Sequence, residues 1–384
     1  MGAAIEPFRV EVPDATLDDL RRRLAATRFP TQLDGSGWDY GTNLDYLRDL
    51  VGYWRDGYEW RATETRLNEY DHHVTEIDGQ PIHFLHAPSP VPGALPLVLT
   101  HGWSGSIVEF LEVIEPLRDP ARHGGADADA FHVVCPSLPG YAFSGPTHER
   151  GWHVGRIAQA WAQLMARIGY ARYAAQGGDW GAFVTTELAF ADPDHLAGIH
   201  INMAIPNPGT DDPASFTPDE QEALGAFGRY MDEEGGYVRI QSTRPQTLGY
   251  ALEDSPAGLC AWIIEKFRAW SDCDGDIERS FTKDQLLDNV MLYWVTGTGH
   301  SSVRLYYEFD HALRSGQLHL GTRVEVPTGY ARYPKEIMQT SRRWAERDYN
   351  LVHYADQPHG GHFAAMEQPE LFVDDVRAAF RTLR

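Results

Sequence analysis

The chain has 384 residues, 42% hydrophobic and 12% aromatic, which suits one large α/β core carrying an insertion, or two domains. Lys and Arg number 33 against 55 Asp and Glu, a net charge of −22 without a basic stripe, which argues against a nucleic-acid partner or an anionic membrane surface. Cys135, Cys260 and Cys273 are too few and too odd for a disulfide framework, and neither a signal-peptide pattern nor a run of about 20 apolar residues occurs, so the expectation is a soluble, cytoplasmic protein.

In chain order, Phe8–Val12 reads as a short strand. Thr16 followed by Asp19 resembles a capping box, and Leu17, Leu20 and Leu24 then recur on one helical face until Phe29-Pro30. Leu44, Leu47, Leu50, Val51 and Trp54 are spaced for a further amphipathic helix. Residues 1–69 are therefore expected to form a helical extension packed on the main domain. A sheet begins at Tyr70, with a hairpin turning at Asp78-Gly79. Leu95–Thr100 and Phe131–Cys135 read as buried strands, and Val154, Ile157, Ala158, Trp161, Leu164, Met165 and Ile168 mark a helix closed by Gly169.

Strands alternating with helices predict a mostly parallel sheet covered on both faces, with residues 70–204 as its first part. From 205 to 319 only helices are expected, with starts at Thr217-Pro218-Asp219-Glu220 and Thr282-Lys283-Asp284-Gln285, as in a lid inserted over a site. Residues 320–384 return to the sheet through Arg323–Pro327 and Tyr349–Tyr354, and a last helix starts at Pro369.

The chemistry centres on Gln176-Gly177-Gly178-Asp179-Trp180-Gly181, preceded by a short β-compatible run and followed by a helix-compatible one. Small residues on both sides of a central residue in a strand–turn–helix are the nucleophile-elbow pattern of α/β-hydrolases. Taken alone, the run is as well explained by Asp179 capping a helix. As an ionised nucleophile, Asp179 would attack an sp³ carbon directly and give an alkyl ester. His362, after the last strand, has the place of the base, and Glu336 that of its acid, with Asp348 and then Asp356 as rivals. Backbone N–H groups of Trp103, in His101-Gly102-Trp103, and of Trp180 would form the oxyanion hole. Such chemistry fits epoxides or alkyl halides, and an epoxide oxygen would need phenolic donors, in which the lid is rich.

These motifs resemble those of microsomal-type epoxide hydrolases, over nearly the whole length. Phe8-Arg9-Val10 with Leu17–Leu24 and Thr27-Arg28-Phe29-Pro30 resembles that family's opening segment. His101-Gly102-Trp103 resembles its oxyanion motif, Gly177–Gly181 its elbow, and Gly360-Gly361-His362-Phe363-Ala364-Ala365 with Glu367, Pro369 and Glu370 its histidine loop. The resemblance implies an α/β-hydrolase fold that converts an epoxide and water to a vicinal diol, with Asp179 as nucleophile, His362 as base and Glu336 as acid. It also implies Tyr237 and Tyr306 as ring-opening tyrosines, with Tyr307 as the neighbour to be told apart. No cofactor and no metal are implied.

Two departures stand out: Ser104 replaces a frequent proline, which suggests a less rigid turn, and the membrane-anchoring helix of mammalian members is missing, as in soluble bacterial members. Those members include enzymes of detoxification and of natural-product biosynthesis. Trp262, Trp270, Trp294, Phe216 and Phe227 favour a bulky apolar or aryl epoxide. The rival readings are a haloalkane dehalogenase, which shares the Asp elbow, and a non-catalytic binding protein on this scaffold. Oligomeric state is not legible, a homodimer being one option.

Overall fold

Apolar runs separated by turn residues build one nine-stranded sheet in the computed structural model, which describes residues 4–384. Its strands are β1 (Glu6–Phe8), β2 (Asp71–Ile77), β3 (Gln80–Ala87), β4 (Leu95–Thr100), β5 (Phe131–Pro136), β6 (Tyr173–Gly177), β7 (Leu196–Ile201), β8 (Val324–Arg332) and β9 (Tyr349–Asp356). Their order in space is β1-β2-β3-β5-β4-β6-β7-β8-β9. The β1, β2, β3 and β5 neighbours pair antiparallel, and from β5 to β9 every pair is parallel. Every residue of β6 and β7 is buried, as parallel strands covered by helices on both faces must be. This is the α/β-hydrolase fold. The β2–β3 hairpin turns through positive φ at Asp78 (52°) and Gly79 (77°), as its sequence requires.

Between β7 and β8 the long elements are all helical: Pro218–Arg229, Gly236–Thr243, Pro245–Asp254, Pro256–Trp270, Lys283–Val295 and Arg304–Arg314. Thr217 with Glu220 and Thr282 with Gln285 close complete capping boxes. Tyr230–Glu234 winds as a π-helix, a form that is rare and frequent near functional sites.

Two local expectations fail for identifiable reasons. The first strand sits earlier than Phe8–Val12, because the N–H groups of Val10 and Val12 donate to Asn68 Oδ1 (3.0 Å) and Glu64 Oε2 (2.7 Å) instead of to a strand. The first helix starts at Asp14 with Pro13 as cap and no side-chain capping bond, so Thr16 lies inside it. Asp19 pairs instead with Arg22 and Arg23, both at 2.7 Å.

The opening segment meets both the sheet and the helices that follow β7. β1 extends the sheet edge, but side chains from 42–63 reach the lid helices. Trp54 Nε1 donates to Met291 Sδ (3.2 Å), Tyr58 OH to Asp288 (2.6 Å), Tyr53 OH to Asp284 (2.6 Å) and Thr42 Oγ1 to the Ala261 carbonyl (2.7 Å).

The crossing of β4, β6 and the helix Trp180–Ala191 is tight enough to depend on glycine. A Cβ at Gly181 would lie 1.9 Å from the Thr100 carbonyl oxygen, and one at Gly177 2.1 Å from that of Gly181. Both obstacles are backbone and cannot step aside. Gly181→Ala is therefore expected to cost about 3 kcal/mol or more of stability, read as a lowered denaturant midpoint.

Candidate active site

The elbow holds its central residue in a conformation that no ordinary helix cap adopts. Asp179 has φ 49° and ψ −127°, and its side chain makes no capping bond to the helix Trp180–Ala191 that follows. Its carboxylate turns back toward β4, where Oδ1 accepts the Trp103 backbone N–H at 2.8 Å. That approach requires Gly102, since a Cβ there would sit 2.2 Å from Asp179 Oδ1. Among the described residues, the Trp180 backbone N–H forms no hydrogen bond with the Asp179 side chain. As the first of the helix's unpaired donors, it stays available at the turn.

His101 pins the oxyanion turn. Its Nδ1–H donates to the Gly102 carbonyl (2.9 Å) and its Nε2 accepts the Leu138 N–H (3.1 Å), the pattern of a neutral ring. Burial pushes its pKa down to about 4, in keeping with that form. The turn continues through a cis Trp103–Ser104 peptide. Rather than being loose for want of proline, it is held from the lid: Asn289 donates to the Ser104 carbonyl (2.7 Å) and Tyr293 OH to that of Gly105 (2.5 Å).

The other oxygen of Asp179 faces the histidine, with His362 Nε2 3.4 Å from Oδ2. His362 Nδ1 lies 2.7 Å from Glu336 Oε1, which also accepts the Ile337 N–H at 2.7 Å. The loops carrying the two residues are joined by a bridge between Lys335 and Gly361. Asp348 binds Asn207 and Arg347, and Asp356 pairs with Arg332, so both rivals are engaged elsewhere.

The histidine loop is tied to the lid as well. The His362 N–H donates to the Trp270 carbonyl (2.9 Å), while Glu367 accepts the N–H groups of Phe363 (2.9 Å) and Asp272 (2.7 Å). Gly361 is required for this contact, because a Cβ would fall 2.6 Å from the Trp270 carbonyl oxygen.

Tyr237 and Tyr306 come from separate lid helices, Gly236–Thr243 and Arg304–Arg314, and meet over the oxyanion turn. Tyr237 stacks on Trp103 at 5.1 Å, and Tyr306 packs edge-on against Trp180 at 4.6 Å and Tyr237 at 5.6 Å. Burial raises both phenols well above their ordinary pKa, keeping them protonated donors. The Tyr306 hydroxyl makes no well-formed hydrogen bond among the described residues, although it lies close enough to Tyr237 to act on it electrostatically. Tyr307 instead stacks on His311 at 3.9 Å, on another side of its helix.

Three neighbours went unread in the sequence. The Tyr230 hydroxyl lies 2.6 Å from that of Tyr237, brought there by the π-helix. Lys266 is buried with its ammonium 4.7 Å from the Tyr237 ring centre and 3.4 Å from Glu234. Glu109 lines the cavity between Asp179 and His362. Only spacing along a π-turn could have signalled Tyr230, and nothing local signals the other two. Of the five aromatics expected to shape the substrate, Trp270 touches the site, its ring 5.0 Å from His362. Phe216 packs on Trp344, Phe227 on Tyr230 and Trp294 under Arg23, while Trp262 donates to Gln241.

Comparison with known proteins bears directly on this arrangement. Residues 5–110 match the family described as "Epoxide hydrolase N terminus", and 96–234 match "alpha/beta hydrolase fold". Epoxide hydrolase 1 of Sus scrofa is 39% identical over 399 residues, covering 97% of this chain and 88% of that one. The chain belongs to the epoxide hydrolase family. A Stigmatella aurantiaca relative is 48% identical over 381 residues, spanning 99% of this chain and 86% of its own. The crystal structure of juvenile hormone epoxide hydrolase from the silkworm Bombyx mori superimposes with a TM-score of 0.90 at 34% identity, covering 100% of this chain and 95% of that one. Neither the dehalogenase reading nor the binding-protein reading finds support among these relatives of the epoxide hydrolase. No helix among the described residues is long and apolar enough to cross a membrane.

Within this epoxide hydrolase site the charge of His362 depends on its neighbours. Burial opposes the imidazolium, but the Glu336 and Asp179 carboxylates outweigh it and hold the pKa well above 6.5. Removing the Asp179 charge takes away part of that support, so the histidine pKa should fall. Asp179→Asn is expected to move the His362 titration to lower pH in ring-resolved NMR.

Proposed function

We propose that the chain hydrolyses an epoxide to a vicinal diol through an ester on Asp179, with Tyr237 and Tyr306 opening the ring and His362 and Glu336 driving hydrolysis. The observation that carries this reading is the division of labour at Asp179. Its Oδ1 is held by the Trp103 N–H, while Oδ2 is free of backbone donors and lies toward His362.

In the first step Oδ2 attacks an epoxide carbon and the carbon–oxygen bond of the ring breaks. A phenol of Tyr237 or Tyr306 gives its proton to the departing oxygen. Esterification removes the negative charge that helps keep His362 protonated, so the histidine becomes a base at the stage where one is needed. His362 then takes a proton from water, whose oxygen adds to Cγ of Asp179. The Trp103 and Trp180 N–H groups stabilise the oxyanion at Oδ1. The Cγ–Oδ2 bond breaks and the diol leaves with Oδ2, while the water oxygen remains on Asp179. The proton that His362 loses on esterification restores the tyrosinate, His362 passes the first water proton to Oδ2, and the second, left on the Asp179 carboxyl, returns to His362, which balances the cycle.

Trp103 and Trp270 form one ring contact and Trp180, Phe183 and Phe309 a second group, the two joined through Tyr306, and this aromatic surround supports a bulky apolar or aryl epoxide.

One turnover by excess enzyme in oxygen-18 water should leave the label in the peptide containing Asp179 and none in the diol; label in the diol would overturn the ester. With His362→Gln the alkyl-enzyme should accumulate, seen as a mass increase of one substrate. Tyr237→Phe and Tyr306→Phe should each slow alkylation by about 100-fold while hydrolysis of the preformed ester stays near the unmodified rate, as resolved by rapid mixing.

A further inference from the structure

The loop that carries Trp103 seats two carboxyl groups, each against a glycine. Gly102 makes room for Asp179. Three residues on, Gly105 makes room for Glu109, since a Cβ at Gly105 would fall 1.6 Å from Glu109 Oε1. Glu109 belongs to the short turn Ile107–Phe110, whose start is fixed by Ser106: its hydroxyl accepts the Val108 N–H (3.3 Å) and donates to Asn289 of the lid (2.8 Å). Glu109 has no ion-pair partner among the described residues, is partly buried, and lines a small cavity together with Asp179 and His362.

That cavity has a volume of ≈ 20 Å³ and is lined by Asp179, His362, Glu109, Trp103, Phe110 and Phe363. A space of about 10–15 Å³ or more, with polar partners, holds one water molecule. It is therefore sized for a single water beside the nucleophile's carboxyl and the base.

We infer that Glu109 positions the hydrolytic water, accepting one of its O–H bonds while His362 accepts the other, so that a lone pair is aimed at Cγ of the Asp179 ester. This rests on the covalent mechanism proposed above and assigns it a further residue. Two acceptors on one water leave its oxygen free to attack, which orients the reactant before the proton moves. A neutral glutamic acid can accept through its carbonyl oxygen without repelling the oxyanion that forms on Asp179. Burial holds Glu109 in that state by raising its pKa to about 8, against the His362 charge, which lowers it, and with the Asp179 charge, which raises it. Tyr293 is the other titratable group that senses Glu109. A folded-state pKa raised in this way keeps the acid neutral below about pH 8 and lets it ionise above.

The test separates the two chemical steps. Full-length enzyme, Glu109→Leu and Glu109→Gln are mixed rapidly with a styrene-type epoxide, following tryptophan fluorescence for ester formation and decay, with mass spectrometry of the quenched enzyme. Ester formation should change less than twofold in both variants. Ester decay should slow at least tenfold in Glu109→Leu, with ester accumulating, and recover most of the loss in Glu109→Gln, whose amide oxygen still accepts. A decline of the decay constant at alkaline pH, as Glu109 ionises, should be present in the unmodified enzyme and absent in Glu109→Gln. Decay at the unmodified rate in Glu109→Leu would overturn the assignment while leaving the ester mechanism standing. Equal loss of both steps, without rescue by glutamine, would also overturn it, marking Glu109 as structural. If the unmodified enzyme forms no ester at all, the mechanism fails and the assignment with it.

Discussion

The contact between the Trp103 backbone N–H and Asp179 Oδ1 sets the terms for the rest of the site. It brings the end of β4 and the end of β6 within hydrogen-bond reach, which only glycines at 102, 177 and 181 permit. It fixes one carboxylate oxygen and leaves the other facing His362, the oxygen that attacks in the proposed mechanism. In the proposed mechanism the same donor would already be in place for the charge that develops on ester hydrolysis, with no reorganisation needed at that moment.

Around that contact, the lid acts as scaffold as well as cover. Asn289 and Tyr293 hold the oxyanion turn, and the backbone at 270–272 holds the histidine loop. Low-dielectric surroundings then tie the charge of His362 to the carboxylates of Glu336 and Asp179, so that in the proposed cycle the loss of the Asp179 charge would change the basicity of His362.

What the sequence made legible was whatever depends on neighbours along the chain. The elbow glycines, the Asp78-Gly79 turn and the Thr217 and Thr282 capping boxes are local rules, and the structure follows them. Glu336 and His362 could be paired because each follows a strand of the sheet, which brings their loops to one edge. The misreadings came from competing partners. Asn68 and Glu64 claim the N–H groups of Val10 and Val12 across more than fifty positions, whereas at Asp19 the competitor is local, Arg22 and Arg23 three and four residues on in its own helix. Tyr230, Lys266 and Glu109 reach the site through tertiary packing alone, and the aromatics other than Trp270 were misjudged because composition does not say which way a ring faces.

The hydrogen bonds from the His362 N–H to the Trp270 carbonyl and from the Asp272 N–H to the Glu367 carboxylate have a mechanical meaning. A rigid-body swing of the helix Pro256–Trp270 away from the sheet would drag His362 out of line with Glu336. Admission of substrate by that hinge would dismantle the machinery it serves, so breathing of the cover must fall to segments without such tethers. Any chimera that grafts a foreign cover onto this sheet would, by the same logic, have to exchange residues 270–272 and 360–367 together.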